Sequence, residues 1–510
     1  MRRHVTTAFL LLLLGLPVAV RAGPVEDARQ LLRENSAPLA GQVLAARTRA
    51  VPTDGAAHAA LGDVERIRCR LPLARAAYAR ALEIDAADPV ARAGLAETWL
   101  LEGRPLDALS AADRGIECLR AAGRADGRVW RVKALALVEL RRYDLALAAA
   151  RRGAALSPYD ARCAEALAAA EFRSGRMHAS TEAYLRAVRL DPRTEEGNLR
   201  LGNGFGPEQD GKPWREEAHA SGFAEAMAAW DRGDLEEAER CFLDLATVAP
   251  EAYKYRLGVG LCRLSLRRRQ EAALGGDATA LYLLLPAPEV EGLSEVVPGY
   301  DALGEVERHV VRVATAPARP VWAAIRAAGA THEVIPLEAD LTDAERRQDL
   351  AGRKTFDGRW YEHLRGVAGA QGATGEEKLR EAAEFAFNTF AHEFGHQVHR
   401  HGLTVAQQAD VERLYLRAVR SGCCLDYYAA SNVDEYFAQG YEAFVSPMKR
   451  GCLTETARHT RDELLRRDPD LHTFLWSILD TGHERPEIVA ALRASAETGI
   501  PPALPEPAGR

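Results

Sequence analysis

The residues best suited to chemistry in this sequence stand together at 392–396, in the order His-Glu-Phe-Gly-His. On a helix, residues four positions apart lie on one face, so His392 and His396 can bind the same metal ion. Glu393 is then placed to take a proton from a water molecule on that ion. Catalytic zinc needs three protein ligands and one open position, so the pattern predicts a Zn²⁺ site that still requires a third ligand.

The flanking sequence predicts a helix for this motif. Thr374, followed three residues later by Glu377, has the form of a capping box and predicts the start of the helix. Apolar residues then recur at helical spacing, and we expect the helix to end near Gly402. These apolar residues are Leu379, Ala383, Ala386, Phe390 and Phe394. The alternative is a histidine-rich surface helix without a metal, which would not need the glutamate between the histidines.

Two regions offer the third ligand. Gly402 stands ten residues after His392, where a metzincin would have histidine. His399 and His401 are nearby alternatives, but His399 would point alongside the metal, and His401 requires that the helix end first. A later segment, 427–445, predicts a second helix with carboxylates on one side. A carboxylate from that helix would complete a tetrahedral site from across a cleft.

The second helix carries a family resemblance. The run from Tyr428 through Asn432 to Glu435, together with the two-histidine motif, resembles the catalytic domain of anthrax lethal factor and its relatives. The resemblance implies a zinc endopeptidase with Glu435 as third ligand and Tyr428 as the hydroxyl that stabilises the oxyanion. It covers a short stretch, and Gln439 replaces the family's second glutamate. Tyr427 is the alternative oxyanion donor, and Glu435 has an alternative role in a capping box with Asn432.

The first half of the chain repeats. Small residues and one bulky residue recur on a grid of about 34 positions. The sets are Leu61, Gly62, Ala74, Tyr78 and Ala81; Leu95, Ala96, Ala108, Ala112 and Gly115; Trp130, Ala134, Ala146, Ala150, Gly153 and Pro158; Leu167, Ala168, Ser180, Tyr184, Ala187 and Pro192; and, more weakly, Ala226, Ala238, Phe242 and Pro250. The pattern resembles tetratricopeptide repeats, which stack into a solenoid with a concave binding face. An unrelated alanine-rich helical bundle is the alternative.

A mixed pattern follows the repeats. The β-branched segment 305–313 and the segment 331–336 predict strands, and the Asp-Gly turn inside 355–361 predicts a hairpin. Extended peptide substrates pair with an edge strand, which the sequence does not identify. The fold prediction is α+β: an all-α tetratricopeptide-repeat solenoid, then a mainly helical zincin-like metallopeptidase domain with a small sheet. The predicted order is a signal peptide at 1–22, repeats at 25–270 with a loop at 202–216, a connecting region at 271–302, the metallopeptidase domain at 303–485 and a partly disordered tail at 486–510.

The N-terminus and the charge bear on location and partners. Arg2 and Arg3 precede an apolar run that ends in small residues near Ala22, as in a secretory signal. We therefore predict export to the periplasm or outside the cell, with an uncleaved anchor as the alternative. The net charge of −7 gives no indication that the protein binds nucleic acid. No later stretch reaches membrane-spanning length.

The eight cysteines form no zinc-binding Cys-x-x-Cys pattern. In an oxidising compartment, Cys423 or Cys424 could form a disulfide with Cys452. The others are predicted to be small buried hydrophobic residues. They are Cys69, Cys118, Cys163, Cys241 and Cys262.

The functional prediction is an exported zinc peptidase whose repeats bind a substrate or partner protein. His392, His396 and Glu435 would hold Zn²⁺, Glu393 would act as the base, and Tyr428 would stabilise the oxyanion. The alternative is a protein-binding scaffold with a structural or inactive metal domain. A metal-dependent hydrolase of a non-peptide substrate would use the same ligands.

Overall fold

The structure, a computed structural model, describes residues 23–34, 36–207, 212–270, 278–355, 357–449, 459–482 and 485–498. The predicted signal peptide at 1–22 and the predicted disulfide partner Cys452 lie outside these residues. No helix within the described ranges is both long enough and apolar enough to cross a membrane.

Paired helices make up the first half of the protein. They are α1 (Pro24–Arg33), α2 (Ala37–Ala50), α3 (Gly55–Ile67), α4 (Leu71–Ile84), α5 (Pro89–Leu101), α6 (Pro105–Ala121), α7 (Gly127–Glu139), α8 (Tyr143–Leu156), α9 (Ala161–Arg173), α10 (Met177–Leu190), α11 (Glu195–Arg200), α12 (Glu217–Asp231), α13 (Leu235–Val248) and α14 (Tyr253–Gln270). The helices α3, α5, α7, α9 and α11 begin 34 residues apart, except for 38 between α5 and α7. This spacing confirms the predicted tetratricopeptide-type solenoid.

Local sequence signals set these repeats. An aspartate precedes each of α3, α5, α7 and α9, and its carboxylate accepts a backbone N–H of the first turn. Tyr78 of α4 then packs between α3 and α5. A Cβ on Gly62 would lie 2.5 Å from the Tyr78 ring, and one on Gly94 would lie 2.2 Å from it. Glycine at these positions therefore lets the bulky residue of one unit lie between two neighbouring helices.

The predicted loop at 202–216 interrupts the repeats. A π-helical turn, Leu201–Phe205, follows α11, and Gly204 within it has a left-handed φ of 89°. A 3₁₀ turn, Pro213–Arg215, leads into α12. The solenoid therefore continues beyond this break.

The second half combines helices with a three-stranded sheet. Its elements are α15 (Ala278–Tyr282), α16 (Leu293–Val296), α17 (Glu305–Thr315), α18 (Trp322–Ala327), β1 (Thr331–Ile335), β2 (Gly366–Val367), β3 (Gln371–Gly375), α19 (Glu376–Ala383), α20 (Thr389–Gln397), α21 (Val405–Ser421), α22 (Val433–Val445), α23 (Arg461–Arg467), α24 (Pro469–Ile478) and α25 (Pro486–Thr498). The strand order is β1-β3-β2, with β1 parallel and β2 antiparallel to β3. This leaves β2 at an edge.

The strand predicted at 305–313 is wrong, whereas the strand predicted at 331–336 is confirmed as β1. Residues 305–315 form α17, and Val310 and Val313 are buried. Val306 packs against the same core. These three valines are spaced at i, i+4 and i+7, so the helical period outweighs their β-branched character.

The capping box predicted at Thr374 and Glu377 is also wrong. Thr374 lies in β3, where its hydroxyl oxygen is 2.8 Å from His332 Nε2. The carboxylate of Glu377 is fully buried against the guanidinium of Arg365, with 2.8 Å contacts. Both side chains are therefore engaged in tertiary contacts, and α19 starts after Gly375 instead.

The helix predicted through the metal motif is divided in two. The helix α19 ends at Ala383, and Phe385 has a left-handed φ of 59°. The helix α20 then begins at Thr389 and continues into a π-helical turn, Val398–Gly402. Its predicted end near Gly402 is confirmed.

The remaining predictions meet mixed outcomes. Residues 278–302, which we assigned to a connecting region, contribute to the same hydrophobic core as α17, α20 and α22. The predicted tail begins as the helix α25. The predicted hairpin is a tight turn closed by one antiparallel bridge between Lys354 and Trp360. The cysteines at 163, 241 and 262 are buried, as predicted, whereas those at 69 and 118 are half-buried.

The two halves are joined by polar contacts of a buried lysine. Lys254 of α14 donates hydrogen bonds to the carbonyl oxygens of Leu337 and Ala339, at 2.7 and 2.6 Å. Beside it, the ring of Tyr253 stacks on His363 with 3.8 Å between ring centroids. The end of the solenoid is thereby held against the segment that follows β1.

Candidate metal centre

The helix α20 is held at both ends. Asn388 precedes it and accepts a hydrogen bond from the Ala391 N–H, at 2.9 Å. The Asn388 N–H in turn donates to the fully buried carboxylate of Glu442 on α22, at 2.9 Å. At the other end, the Gln397 amide donates to the Thr331 carbonyl oxygen in β1, at 2.7 Å. These contacts fix the helix between α22 and the sheet.

Gly395, between the two histidines of the motif, allows α22 to approach α20. A Cβ on Gly395 would lie 3.1 Å from Tyr441 Cβ and 3.2 Å from Ala438 Cα. These distances are at the lower limit of carbon–carbon contacts, so a larger side chain would push the two helices apart. The close approach brings Glu435, near the start of α22, to the motif.

His392, His396 and Glu435 converge. The Glu435 Oε2 atom lies 3.1 Å from His392 Nε2 and 3.4 Å from His396 Nε2. Among the described residues, this is the one group of three or more such side chains whose candidate ligand atoms lie within 4.8 Å of one another. Both histidines are buried, and Glu435 is 14% exposed. The structure therefore brings together the three residues that the sequence singled out as ligands.

The alternative third ligands are placed elsewhere. His399 Nδ1 lies 3.1 Å from Asp434, and its ring stacks on Phe437. His401 is not part of the converging group. Asn432 caps α22 by accepting the Glu435 N–H at 2.9 Å, but the Glu435 carboxylate faces the histidines and does not complete the capping box that is its alternative role.

Glu393 is buried beside the edge strand β2. A Cβ on Gly366 of that strand would lie 2.6 Å from Glu393 Oε1 and 2.7 Å from Thr389 Cγ2. A side chain at Gly366 would displace Glu393 or Thr389, so glycine lets the strand lie this close to the carboxylate. The sequence held no signal for this residue, because its role depends on how β2 packs against α20.

Tyr428 lies beside the ligands. Its ring centroid is 6.2 Å from that of His392. The neighbouring Tyr427 turns toward the solenoid, where the Arg173 guanidinium carbon lies 3.4 Å from the centre of its ring. Arg141 also donates to the Tyr427 carbonyl oxygen, at 3.4 Å. Two repeat residues thus contact the segment that carries Tyr428, a link that no spacing in the sequence indicates.

Burial and the mutual charges set the protonation of the cluster. Burial alone would lower the pKa of His392, but Glu435 and then Glu393 raise it to about 9. Burial opposes ionisation of Glu435, but the two histidines bring its pKa well below the usual value. Burial raises the pKa of Glu393, against the pull of the histidines. It also raises the pKa of Tyr428, with help from Glu435, so the phenol keeps its proton and can donate it in a hydrogen bond.

One cavity contains these side chains. Its volume is about 1070 Å³, and it is lined by the converging ligands, by Glu393 and Tyr428, by β2 and by inner helices of the solenoid. Because the repeats form part of its wall, the solenoid and the candidate metal centre share one cavity.

Comparison with known proteins gives likenesses in the repeats. No family model and no curated protein matches the chain. Among solved structures, a thermophilic TPR protein of Thermus thermophilus is 18% identical, covering 35% of this chain and 94% of that one, with a TM-score of 0.31. PilF of Pseudomonas aeruginosa is 15% identical, covering 46% and 93%, with a TM-score of 0.28. PilW, a type IV pilus biogenesis factor, is 14% identical, covering 47% and 98%, with a TM-score of 0.29. Likenesses at these TM-scores carry no argument, so the repeat assignment rests on helix spacing and packing.

Proposed function

We propose that this protein is a zinc-dependent peptidase joined to a tetratricopeptide-type scaffold. The observation that carries the proposal is the convergence of His392, His396 and Glu435 on one point inside a cavity that also contains Glu393 and Tyr428. Two imidazoles and one carboxylate are a ligand set of catalytic zinc sites. The scaffold half of the proposal rests on the repeat architecture.

The donor atoms fit a zinc ion. Glu435 Oε2 approaches both Nε2 atoms, yet it makes no hydrogen bond of good geometry within the described structure. A cation held by all three side chains would take the place of the ion pairs that Glu435 makes with the two histidines. When bound, zinc would polarise a carbonyl group and lower the pKa of a water molecule.

Glu393 and Tyr428 have complementary tasks in peptide hydrolysis. Glu393 is buried and the pKa of its carboxyl group is raised. The carboxylate is therefore suited to accept a proton from the attacking water and to pass it to the leaving amine. The protonated phenol of Tyr428 would donate a hydrogen bond to the developing oxyanion. The edge strand β2 would pair with the backbone of an extended substrate beside Glu393.

Metal content tests the proposal. We expect one zinc per chain by elemental analysis of the purified protein, and loss of that zinc in Glu435→Ala. The matched control is Glu412→Ala, an exposed glutamate on α21, which should keep its zinc. The native protein should also cleave a peptide library, and a chelator should abolish that cleavage.

The other outcomes point to different functions. Zinc retained in Glu435→Ala would contradict its role as third ligand. No zinc in either protein would favour the scaffold function alone, which the repeats and their inner wall support. Chelator-sensitive cleavage of esters but not of peptides would indicate a hydrolase of another substrate class. Export stays a prediction from residues 1–22.

A further inference from the structure

The solenoid curves far enough to enclose space. Its last helix, α14, contacts its first, because Arg263 donates a hydrogen bond to the Arg33 carbonyl oxygen at 3.2 Å. Residues from both ends of the solenoid line the same cavity as the candidate ligands. The volume of about 1070 Å³ exceeds most small-molecule pockets, which are roughly 300–1,000 Å³. The space is therefore large enough for a short segment of polypeptide.

The solenoid side of this cavity is rich in arginine. Eight arginines and six acidic residues of the repeats line it, without a lysine. The arginines are Arg66, Arg131, Arg162, Arg173, Arg193, Arg200, Arg263 and Arg267, and the acidic residues are Glu97, Glu139, Glu165, Asp191, Glu195 and Glu196. The opposite side carries the carboxylates of the candidate centre together with the cations of Arg359, Arg365, Lys378 and Arg400.

Three of the arginines converge on a single carboxylate. Glu97, on α5, lies 3.3 Å from Arg66 and 2.8 Å from Arg131, and it also accepts a hydrogen bond from Arg162. Arg66 has a further contact with Asp63, at 3.6 Å. Arg66, Arg131 and Glu97 are buried, whereas the side chain of Arg162 is 44% exposed. In these contacts three guanidinium groups face two carboxylates, and Arg162 is the arginine of the three whose side chain is exposed.

We propose that this arginine cluster is a subsite for acidic side chains of a polypeptide whose continuing backbone reaches the candidate metal centre. The assignment of that centre rests on the proposed function, whereas binding of an acidic segment to the inner wall does not. Carboxylates of the ligand would share the guanidinium of Arg162, which pairs well with them because its donors form a planar fork. The acidic part of the substrate would lie on the repeats, away from Glu393 and Glu435, whose charges would repel it.

Direct binding tests this proposal without turnover. The full-length Glu393→Gln protein would be titrated into a short fluorescein-labelled peptide rich in Asp and Glu, and into a peptide of equal length with lysine in their place. We expect the acidic peptide alone to bind, with an affinity that falls as NaCl is raised. Fluorescence anisotropy gives both affinities.

Substitutions at Arg162 locate the site. Arg162→Gln should lower the affinity for the acidic peptide by about tenfold, which corresponds to one lost charge-assisted contact. Glu97 would keep Arg66 and Arg131, so no buried carboxylate is left unpaired and the fold should persist. Arg162→Lys should retain most of the affinity. The matched control is Arg152→Gln, an exposed arginine on α8 outside the cavity lining, which should bind as the parent does.

Each contrary result has a definite meaning. Equal binding of the acidic and lysine peptides, or equal affinities for Arg162→Gln and Arg152→Gln, would overturn the proposal while leaving zinc-dependent cleavage intact. Binding that depends on Arg162 in a protein without zinc or cleavage would support the subsite and contradict the peptidase.

Discussion

The two halves of this protein differ in how their buried residues are grouped. The described part of the solenoid divides its buried side chains among several small clusters, most of them formed by neighbouring helices, and one larger cluster formed mainly by α12, α13 and α14. The second half gathers most of its buried apolar residues into one large cluster that runs from Ala278 to Leu492, beside a small one between Ile335 and Ala373. A repeat is therefore stabilised mainly by its neighbours, as expected for a solenoid. The candidate centre depends instead on contacts between segments distant in sequence.

Because of this difference, the inner surface of the repeats can tolerate substitutions that the candidate metal centre cannot. The inner wall is set by positions that recur along the repeats, so single residues such as Arg162 can vary without disturbing the candidate ligands. The ligands depend on Gly395, Glu442 and the sheet together. Changes near the ligands should therefore affect turnover strongly, and changes in the repeats should affect it weakly. The five predictions below run in that order.

Glu393→Gln should have the largest effect on turnover. Removing the proposed base should lower kcat by about 10²–10⁴-fold, because an amide cannot accept the proton. Zinc content should stay at the native level. Steady-state cleavage assays with elemental analysis measure both, beside Glu412→Gln as the control. Native kcat in Glu393→Gln would show that another group is the base.

Tyr428→Phe should lower kcat by about 10²–10³-fold, through loss of one oxyanion donor. Tyr427→Phe should have a smaller effect, since the ring that contacts Arg173 remains. The same assay compares the two variants. A larger loss in Tyr427→Phe would make that residue the donor.

Gly395→Val should separate α20 from α22 and carry Glu435 away from the histidines. We expect zinc affinity to fall by about 10–100-fold, the usual range for residues that support metal ligands. Competition with a chromophoric chelator measures this affinity. Gly395→Ala is the graded comparison, since a Cβ needs a shift of only a few tenths of an ångström. Native affinity in Gly395→Val would show that the helix spacing does not position Glu435.

Arg173→Leu tests whether the repeats reach the catalytic segment. Loss of the guanidinium over the Tyr427 ring should lower kcat by about tenfold, within the usual strength of cation–π contacts. KM and zinc content should change little, and Arg173→Lys should recover part of kcat. Arg152→Leu is the control. An unchanged kcat in Arg173→Leu would mean that the two halves are catalytically independent.

Tyr78→Ala should have the smallest effect on turnover and a large local effect on stability. Removing the ring that fills the space between Gly62 and Gly94 should lower the free energy of unfolding by about 3–5 kcal/mol. Hydrogen exchange should become faster in α3, α4 and α5, with zinc content and kcat near native. Faster exchange in α20 as well would show that the two halves unfold together.

The sequence predicted the repeats well because their signals are local. The period of 34 and the small residues on its grid, such as Gly62, act between adjacent helices. It predicted the second half less well. The valines of α17 have both β-branched character and helical spacing, and only their burial decided between the two. Thr374 and Glu377 fit a capping box, but His332 and Arg365 engage them instead.

By itself, the sequence determined which side chains could bind a metal, the helical context of His392 and His396, and the solenoid that precedes them. The sequence named Glu435 only through a family resemblance, and tertiary structure decided that its carboxylate meets the histidines, since that depends on the approach of α22 over Gly395. It also decided that β2 lies against Glu393 and that the arginine wall of the repeats opens into the same cavity. Residues far apart in the chain leave no periodic or capping signal of their contact, so only packing brings them together.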